Sequence, residues 1–358
     1  MARSGSSDLS NPNMETVACD LCQSDQSEVI TRQRDLLLAI TNDEFTIVRC
    51  RQCGLIYLNP RPSKELLGSY YPTVYYPPVQ VKTRSQFQRQ TKKFSARIKR
   101  WVLEDYYGYP SDGSAVWWRY VRRVLVWPDK TLREVKGRHP LPWRGEGKVL
   151  DVGCGAGGNL KTLQGQGWDP YGIEISDVAA AHARELVTRN IHTGTLESAP
   201  FPPQSFDLVF MSHSLEHIPS PLDALRRVHR LLKDDGLLAI SVPNVNSLEF
   251  KLFGRWWFHL DPPRHFYHFG KNSLSGMVAQ AGFRLYRFRT GVSAIYLMAS
   301  LDRFWKHRFQ RDVPLRKLID RLVARPVSLI VGHLGYGTDM TIYALKGQQS
   351  SSAPPRAV

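Results

Sequence analysis

The chain has 358 residues, 42% of them hydrophobic and 11% aromatic, enough for one full domain with something smaller beside it and far from the composition of a disordered chain. Its longest run without a charged residue is 66–81, 16 residues interrupted by Pro72, Pro77 and Pro78, which excludes a transmembrane helix; the N-terminus lacks the apolar core of a secretory signal, so a folded cytoplasmic protein is expected. The net charge of +16 divides into −2 over 1–70, +11 over 71–145, +1 over 146–290 and +6 over 291–358, so an acidic partner would meet the second and fourth segments.

Cys19-Asp-Leu-Cys22 and Cys50-Arg-Gln-Cys53 are two C-x2-C pairs separated by 27 residues. Two such knuckles present four thiolates to one tetrahedral Zn²⁺, and the chain between them is long enough to return as a hairpin. Phe45, Ile47 and Val48 before the second pair, and Gly54-Leu-Ile-Tyr-Leu58 after it, read as strands. The expectation for 1–70 is a small zinc-ribbon-like module with Cys19, Cys22, Cys50 and Cys53 as ligands; four reduced buried thiols are the alternative. A four-thiolate site is closed, which assigns the zinc to folding and not to catalysis. The net acidity of the segment argues against a ribbon that grips nucleic acid.

Residues 71–145 form a basic, aromatic-rich helical linker or cap holding five of the nine tryptophans. From Arg84 to Trp101, Phe87, Phe94, Ile98 and Trp101 recur at helical spacing among Lys92, Lys93, Arg97, Lys99 and Arg100, a basic amphipathic helix. A second runs through Trp117, Trp118, Val121, Val124 and Leu125 with Arg119, Arg122 and Arg123. Three roles fit such helices: a solvated cap over a catalytic domain, contact with an anionic membrane surface, or contact with RNA.

Lys148-Val-Leu-Asp-Val152 is an apolar strand running into Gly153-Cys-Gly-Ala-Gly-Gly158, with Leu160 and Leu163 following at helical spacing. The G-x-G-x-x-G of Gly153, Gly155 and Gly158 alone would suit a dinucleotide. Asp151 at the strand's end changes that, because a carboxylate there repels a pyrophosphate and suits a ligand carrying an ammonium group. Glu174, near the end of the next strand and 23 residues on, is placed to accept the hydroxyls of a ribose.

These residues, with Phe206-Asp-Leu-Val-Phe-Met-Ser212 as a fourth strand and Leu225 to Pro243 as a helix and fifth strand, make the chain resemble the class I S-adenosylmethionine-dependent methyltransferases over about 140 residues. The resemblance implies an α/β, Rossmann-like sheet of seven strands over 146–347, with S-adenosylmethionine held by Asp151, Gly153, Gly155, Glu174 and Ser212. Many relatives hold the adenine amine with an acidic residue after the third strand. Here Thr195 stands in its place, so adenine falls to the backbone of Leu196 or to Glu197.

The Asn/Asp-Pro-Pro-aromatic sequence that amine methyltransferases of this fold carry after the fourth strand is replaced by Met211-Ser-His-Ser-Leu-Glu-His217, which disfavours base amines. Oxygen and carbon acceptors must lose a proton, a task for histidine near neutral pH. His213 and His217 in this turn, and His265 and His268 in Asp261-Pro-Pro-Arg-His-Phe-Tyr-His-Phe269, are the catalytic candidates. His213, Glu216 and His217 spell H-x-x-E-H; out of context that is a zinc-protease signature, but it follows a nucleotide-fold strand here. Some oxygen methyltransferases similar in this region place a divalent ion beside the cofactor, a role open to the same three residues.

Arg303 to Arg325 form a basic insertion, Asp339-Met-Thr-Ile-Tyr-Ala-Leu345 a final strand, and 348–358 a Ser/Pro tail. The expected function is methylation of an oxygen or carbon nucleophile of a small molecule, phosphate-bearing in one reading. A zinc module ahead of this domain resembles bacterial methyltransferases of sugar, cell-surface polysaccharide and lipid-linked metabolism. The alternatives are an RNA methyltransferase, weakened by the acidic ribbon and the missing amine motif, and a cofactor-binding scaffold at a membrane surface.

Overall fold

The computed structural model describes residues 14–63, 66–71, 86–111, 113–137 and 139–347. The tail 348–358, Arg84 and the side chains of Phe87, Lys92, Lys93 and Phe94 lie outside the described residues.

The N-terminal strands are β1 (Met14–Glu15), β2 (Ser27–Arg34), β3 (Glu44–Cys50), β4 (Ile56–Leu58) and β5 (Arg61–Pro62). Two long helices follow, α1 (Gln86–Tyr107) and α2 (Val116–Val135). They pack on each other around Arg122, which is fully buried and held by Asp105 at 2.8 Å and Glu104 at 2.9 Å. Then come β6 (Lys148–Val152), α3 (Gly158–Gln164), β7 (Asp169–Glu174), α4 (Asp177–Leu186), β8 (Ile191–Thr193), β9 (Phe206–Ser212), α5 (Pro221–Leu231) and β10 (Leu232–Pro243). The chain closes with α6 (Leu248–Phe253), β11 (Tyr267–His268), α7 (Lys271–Gln280), β12 (Phe283–Thr290), α8 (Ala294–Phe309), α9 (Arg316–Ile319), a π turn, α10 (Arg325–His333) and β13 (Asp339–Lys346).

Seven strands form one sheet, the number the sequence led us to expect, in the order β12-β13-β10-β9-β6-β7-β8. The strands β10, β9, β6, β7 and β8 run parallel, and β13 is antiparallel to both of its neighbours. The parallel strands are near-continuous apolar runs because helices cover both faces: Leu150, Val209 and Ile240 are fully buried. Helix α5 shows how the local code works: proline occupies its first turn, Asp223 lies beside the positive end, and Leu222, Leu225, Val228 and Leu231 bury one stripe. Because β6 pairs with β7 on one side and β9 on the other, the order of connection reverses there, opening a crevice beyond the carboxyl ends of those strands.

The second sheet, in the order β11-β4-β3-β2, joins the N-terminal strands to the segment after α6: Tyr267 pairs with Tyr57 and His268 with Ile56. A buried ionic network reinforces this seam. The Arg264 guanidinium donates to Asp35 at 2.6 and 3.0 Å and to Asp261 at 2.6 and 3.0 Å. Asp35 also accepts the backbone N–H groups of Leu37, Leu38 and Ile40, so the hairpin turn after β2 is built around the anchor of the histidine-bearing loop.

Candidate functional site

The turn after β6 is shaped by its glycines. Gly153 takes φ +77°, and a Cβ there would come within 2.7 Å of the Ser214 Cβ, so both its conformation and the approach of the turn after β9 require glycine. The N–H groups of Gly153 and Cys154 donate to the Ile173 carbonyl, and that of Gly155 donates to Glu174 Oε2 at 2.8 Å. Glu174 Oε1 accepts from Ser176 N–H at 2.9 Å, which fixes the carboxylate at the end of β7.

Asp151 is fully buried, and neither carboxylate oxygen has a hydrogen-bond partner among the described residues. Burial first, and the negative charge of Glu174 second, push its carboxyl up to about 7. An orphaned buried carboxylate at the mouth of the crevice is the group a ligand's ammonium would satisfy, and Glu174 beside it suits ribose hydroxyls. The residues therefore fit S-adenosylmethionine. Thr195, Leu196 and Glu197 follow β8 at the same end of the sheet; Leu196 is buried, while Thr195 and Glu197 are exposed. Thr195 N–H donates to Ser198 Oγ at 3.1 Å. Ser212 is the last residue of β9.

The turn after β9 and the loop 259–268 converge. His213, at φ +52°, donates its backbone N–H to the Ser241 carbonyl. Its ring Nδ1 lies 3.4 Å from Glu216 Oε1, and Nε2 lies 3.9 Å from Asp339. Burial opposes its protonation, but Glu216 and then Asp339 override that and push it up to about 9. Glu216 is fully buried and, against its burial, is held down to about 2 by His213 and the other histidines.

His217 is the reverse case, since burial and the neighbouring charge of His265 hold it down to about 4. Its Nδ1 lies 3.0 Å from the Arg264 carbonyl and 3.0 Å from Tyr71 Oη. A carbonyl only accepts, so Nδ1 carries the proton and Nε2 keeps its lone pair. His265 repeats the device, its Nδ1 donating to the His259 carbonyl at 2.8 Å. His268 is buried, with neither ring nitrogen partnered among the described residues, and is held down to about 3 by burial. At neutral pH, His213 is thus a cation, whereas His217 and His268 are neutral. A ligand atom from each of Glu216, His217 and His265 lies within 4.8 Å of the others, a set that could hold a cation.

Three members of this cluster were not singled out in the sequence. His259 Nε2 lies 3.6 Å from Asp339 Oδ1, and the Tyr296 ring centroid lies 4.2 Å from that of His259. Asp339, raised to about 6 by burial, enters because β13 returns antiparallel to β10, which sets it opposite Pro243. Only the run of His259, His265 and His268 flanking Asp-Pro-Pro was a usable signal for any of the three.

In the N-terminal module, Cys19 Sγ lies 3.4 Å from Cys53 Sγ, and Cys22 Sγ lies 3.4 Å from Cys50 Sγ. All four sulfurs lie within 4.8 Å of one another. A tetrahedral Zn²⁺ with bonds of about 2.3 Å needs sulfur edges of roughly 3.8 Å, so the set fits. The knuckles match each other: Gln23 and Gly54 take positive φ, and their N–H groups donate to the carbonyls of Cys19 and Cys50. Cys154, as expected, is a separate buried thiol.

Residues 117–287 match the family model described as "Methyltransferase domain". The chain is 33% identical over 115 residues to the ubiquinone biosynthesis O-methyltransferase of Aliivibrio fischeri, covering 30% of this chain and 49% of that protein. It is 28% identical over 201 residues to the protein of the same name from Thiobacillus denitrificans, covering 47% and 83%. The chain thus spans about half the length of the first curated relatives it matches. A solved S-adenosylmethionine-dependent methyltransferase from Mesorhizobium loti is similar at 19% identity and a TM-score of 0.41, covering 61% of this chain and 96% of that one.

Proposed function

We propose that this methyltransferase domain uses S-adenosylmethionine to methylate an oxygen or carbon nucleophile of a small molecule, with sugars, polysaccharide precursors and lipid-linked metabolites as the substrate class. One observation carries the reading: the orphaned Asp151 carboxylate and the Glu174 cradle open at the same end of the sheet as a cluster of histidines that includes the half-buried His217 and the buried His268, both neutral. The first supplies a place for the donor and the second a place for the acceptor. Relatives named as O-methyltransferases support oxygen as the acceptor atom.

Bound S-adenosylmethionine would supply an electrophilic methyl group on sulfur. Asp151 would pair with its ammonium, Glu174 would accept from its ribose, and the end of β9 at Ser212 would close the site. Nε2 of His217 or His265 would take the proton that the acceptor loses. Proximity and alignment provide most of the acceleration, and the base about 10²- to 10⁴-fold of it. His213 cannot serve as that base while protonated; paired with Glu216, it would orient the acceptor or favour developing negative charge.

The cysteine set would hold a structural zinc, and the protein would work in the cytoplasm. A second reading gives Glu216, His217 and His265 to a divalent cation that would bind the acceptor's oxygens, favoured by the convergence of their ligand atoms. Incubating metabolite and lipid extracts with the protein and isotope-labelled S-adenosylmethionine tests the proposal. Label should appear in a small molecule or lipid, and chelation of divalent ions under conditions that retain zinc separates the two readings.

A further inference from the structure

Helices α9 and α10 and the π turn between them form one helical run over 316–333. Leu315, Leu318, Leu322, Ile330 and Leu334 follow each other along it at helical spacing, with Pro326 completing the line, and these five are 50 to 74% exposed. The face that would ordinarily pack inward is turned outward. Arg316, Lys317, Arg321 and Arg325 flank it, with Asp320 the one acid in 315–334.

Helix α2 repeats the pattern with aromatic residues. Trp117, Tyr120, Val124 and Trp127 are 57 to 75% exposed on one side, while its buried side holds Arg122 and Val126. The two helices meet at their carboxyl ends, where His333 Nε2 lies 3.0 Å from the Val135 carbonyl. No contact among the described residues covers either stripe. By contrast Trp101, a candidate for surface insertion in the sequence, lies beneath the Arg97 and Arg122 guanidinium groups.

We propose that the outward stripes of α2 and of 316–333 form a platform that docks on an anionic lipid bilayer. Soluble monomers rarely expose apolar patches of this kind, and exposed tryptophan and tyrosine beside arginine suit the boundary between headgroups and acyl chains. Charge selects the occupant. Leaving out the buried Arg122, residues 116–135 carry four cations against two acids, and 315–334 four against one, so a second copy of the chain would set like charge against like. An anionic surface attracts both stripes. No described helix is long and apolar enough to cross a membrane, so the contact would be peripheral. The inference does not depend on the reaction proposed above.

The test is flotation of the full-length protein with vesicles of phosphatidylcholine alone or with about one third phosphatidylglycerol. The expected result is binding to the anionic vesicles that weakens with salt. It should fall at least about tenfold in the Leu318→Ser, Leu322→Ser pair and in the Trp117→Ser, Trp127→Ser pair, both of them exposed substitutions that leave the circular dichroism spectrum unchanged. Equal binding to neutral and anionic vesicles, or binding unchanged in both variants, overturns the proposal. A dimer in sedimentation equilibrium that the same variants dissociate, without vesicle binding by the parent protein, also overturns it and assigns the stripes to a second copy.

Discussion

Asp35→Ala is the substitution that most sharply examines how the N-terminal module supports the candidate active site. It removes the two hydrogen bonds that Asp35 accepts from Arg264, at 2.6 and 3.0 Å, and the three it accepts from backbone N–H groups. Arg264 is fully buried and would be left with Asp261 alone. Breaking a buried ion pair from one side costs about 3–5 kcal/mol, a large fraction of a typical stability of about 5–15 kcal/mol. Urea unfolding followed by circular dichroism should register that loss. Adding Arg264→Met should recover part of it, because no lone charge then remains buried. Since Arg264 precedes His265 and its carbonyl receives the His217 Nδ1 proton, turnover should fall more than affinity for S-adenosylmethionine. Against its burial, Asp35 is held down to about 2 by Arg264. Its contribution is therefore present above pH ~4, the unfolded value, and is lost as pH falls towards 2. A single-variant loss below about 1 kcal/mol with unchanged turnover would refute the network's role.

Other expectations concern separate parts of the site. His217→Ala should lower kcat by about 10²- to 10⁴-fold while leaving the dissociation constant of S-adenosylmethionine within about twofold, measured by single-turnover kinetics and calorimetry; equal losses in both would make His217 a binding residue. Because the unliganded Asp151 carboxyl sits at about 7, affinity for S-adenosylmethionine should weaken as pH falls from 7 towards 5, approaching tenfold per unit, and Asp151→Asn should flatten that dependence. Elemental analysis should find one zinc per chain, and the Cys19→Ser, Cys50→Ser double variant should lose it; retention would place the metal elsewhere.

The glycine turn, Glu174 and the cysteine pairs were legible because their chemistry is local: a strand, a positive-φ turn and a helix start lie within about a dozen residues, and a knuckle within four. What was not legible depends on where topology sends distant segments. Asp35 looks like an ordinary turn residue, and only the pairing of β4 with β11 brings its hairpin to Arg264, 229 positions away. Asp339 reads as a polar strand start until the antiparallel register of β13 sets it beside β10 and His213. The histidines were visible but their protonation was not, because burial lowers His217 and His268 while two carboxylates raise His213. The leucines of 316–333 were passed over within a basic insertion, since periodicity marks an apolar face without saying whether it turns in or out.

On the reading proposed above, the Asp151 and Glu174 cradle receives S-adenosylmethionine. Isothermal titration of the full-length protein tests it most directly, with S-adenosylmethionine and NADH as separate titrants and Glu174→Ala as the comparison. Losing a hydrogen bond to a charged group costs about 1.5–3 kcal/mol, so the account predicts one S-adenosylmethionine per chain, weakened roughly 10- to 150-fold in the variant, and no heat from NADH. Binding of NADH in its place, or S-adenosylmethionine affinity indifferent to Glu174→Ala, would contradict it.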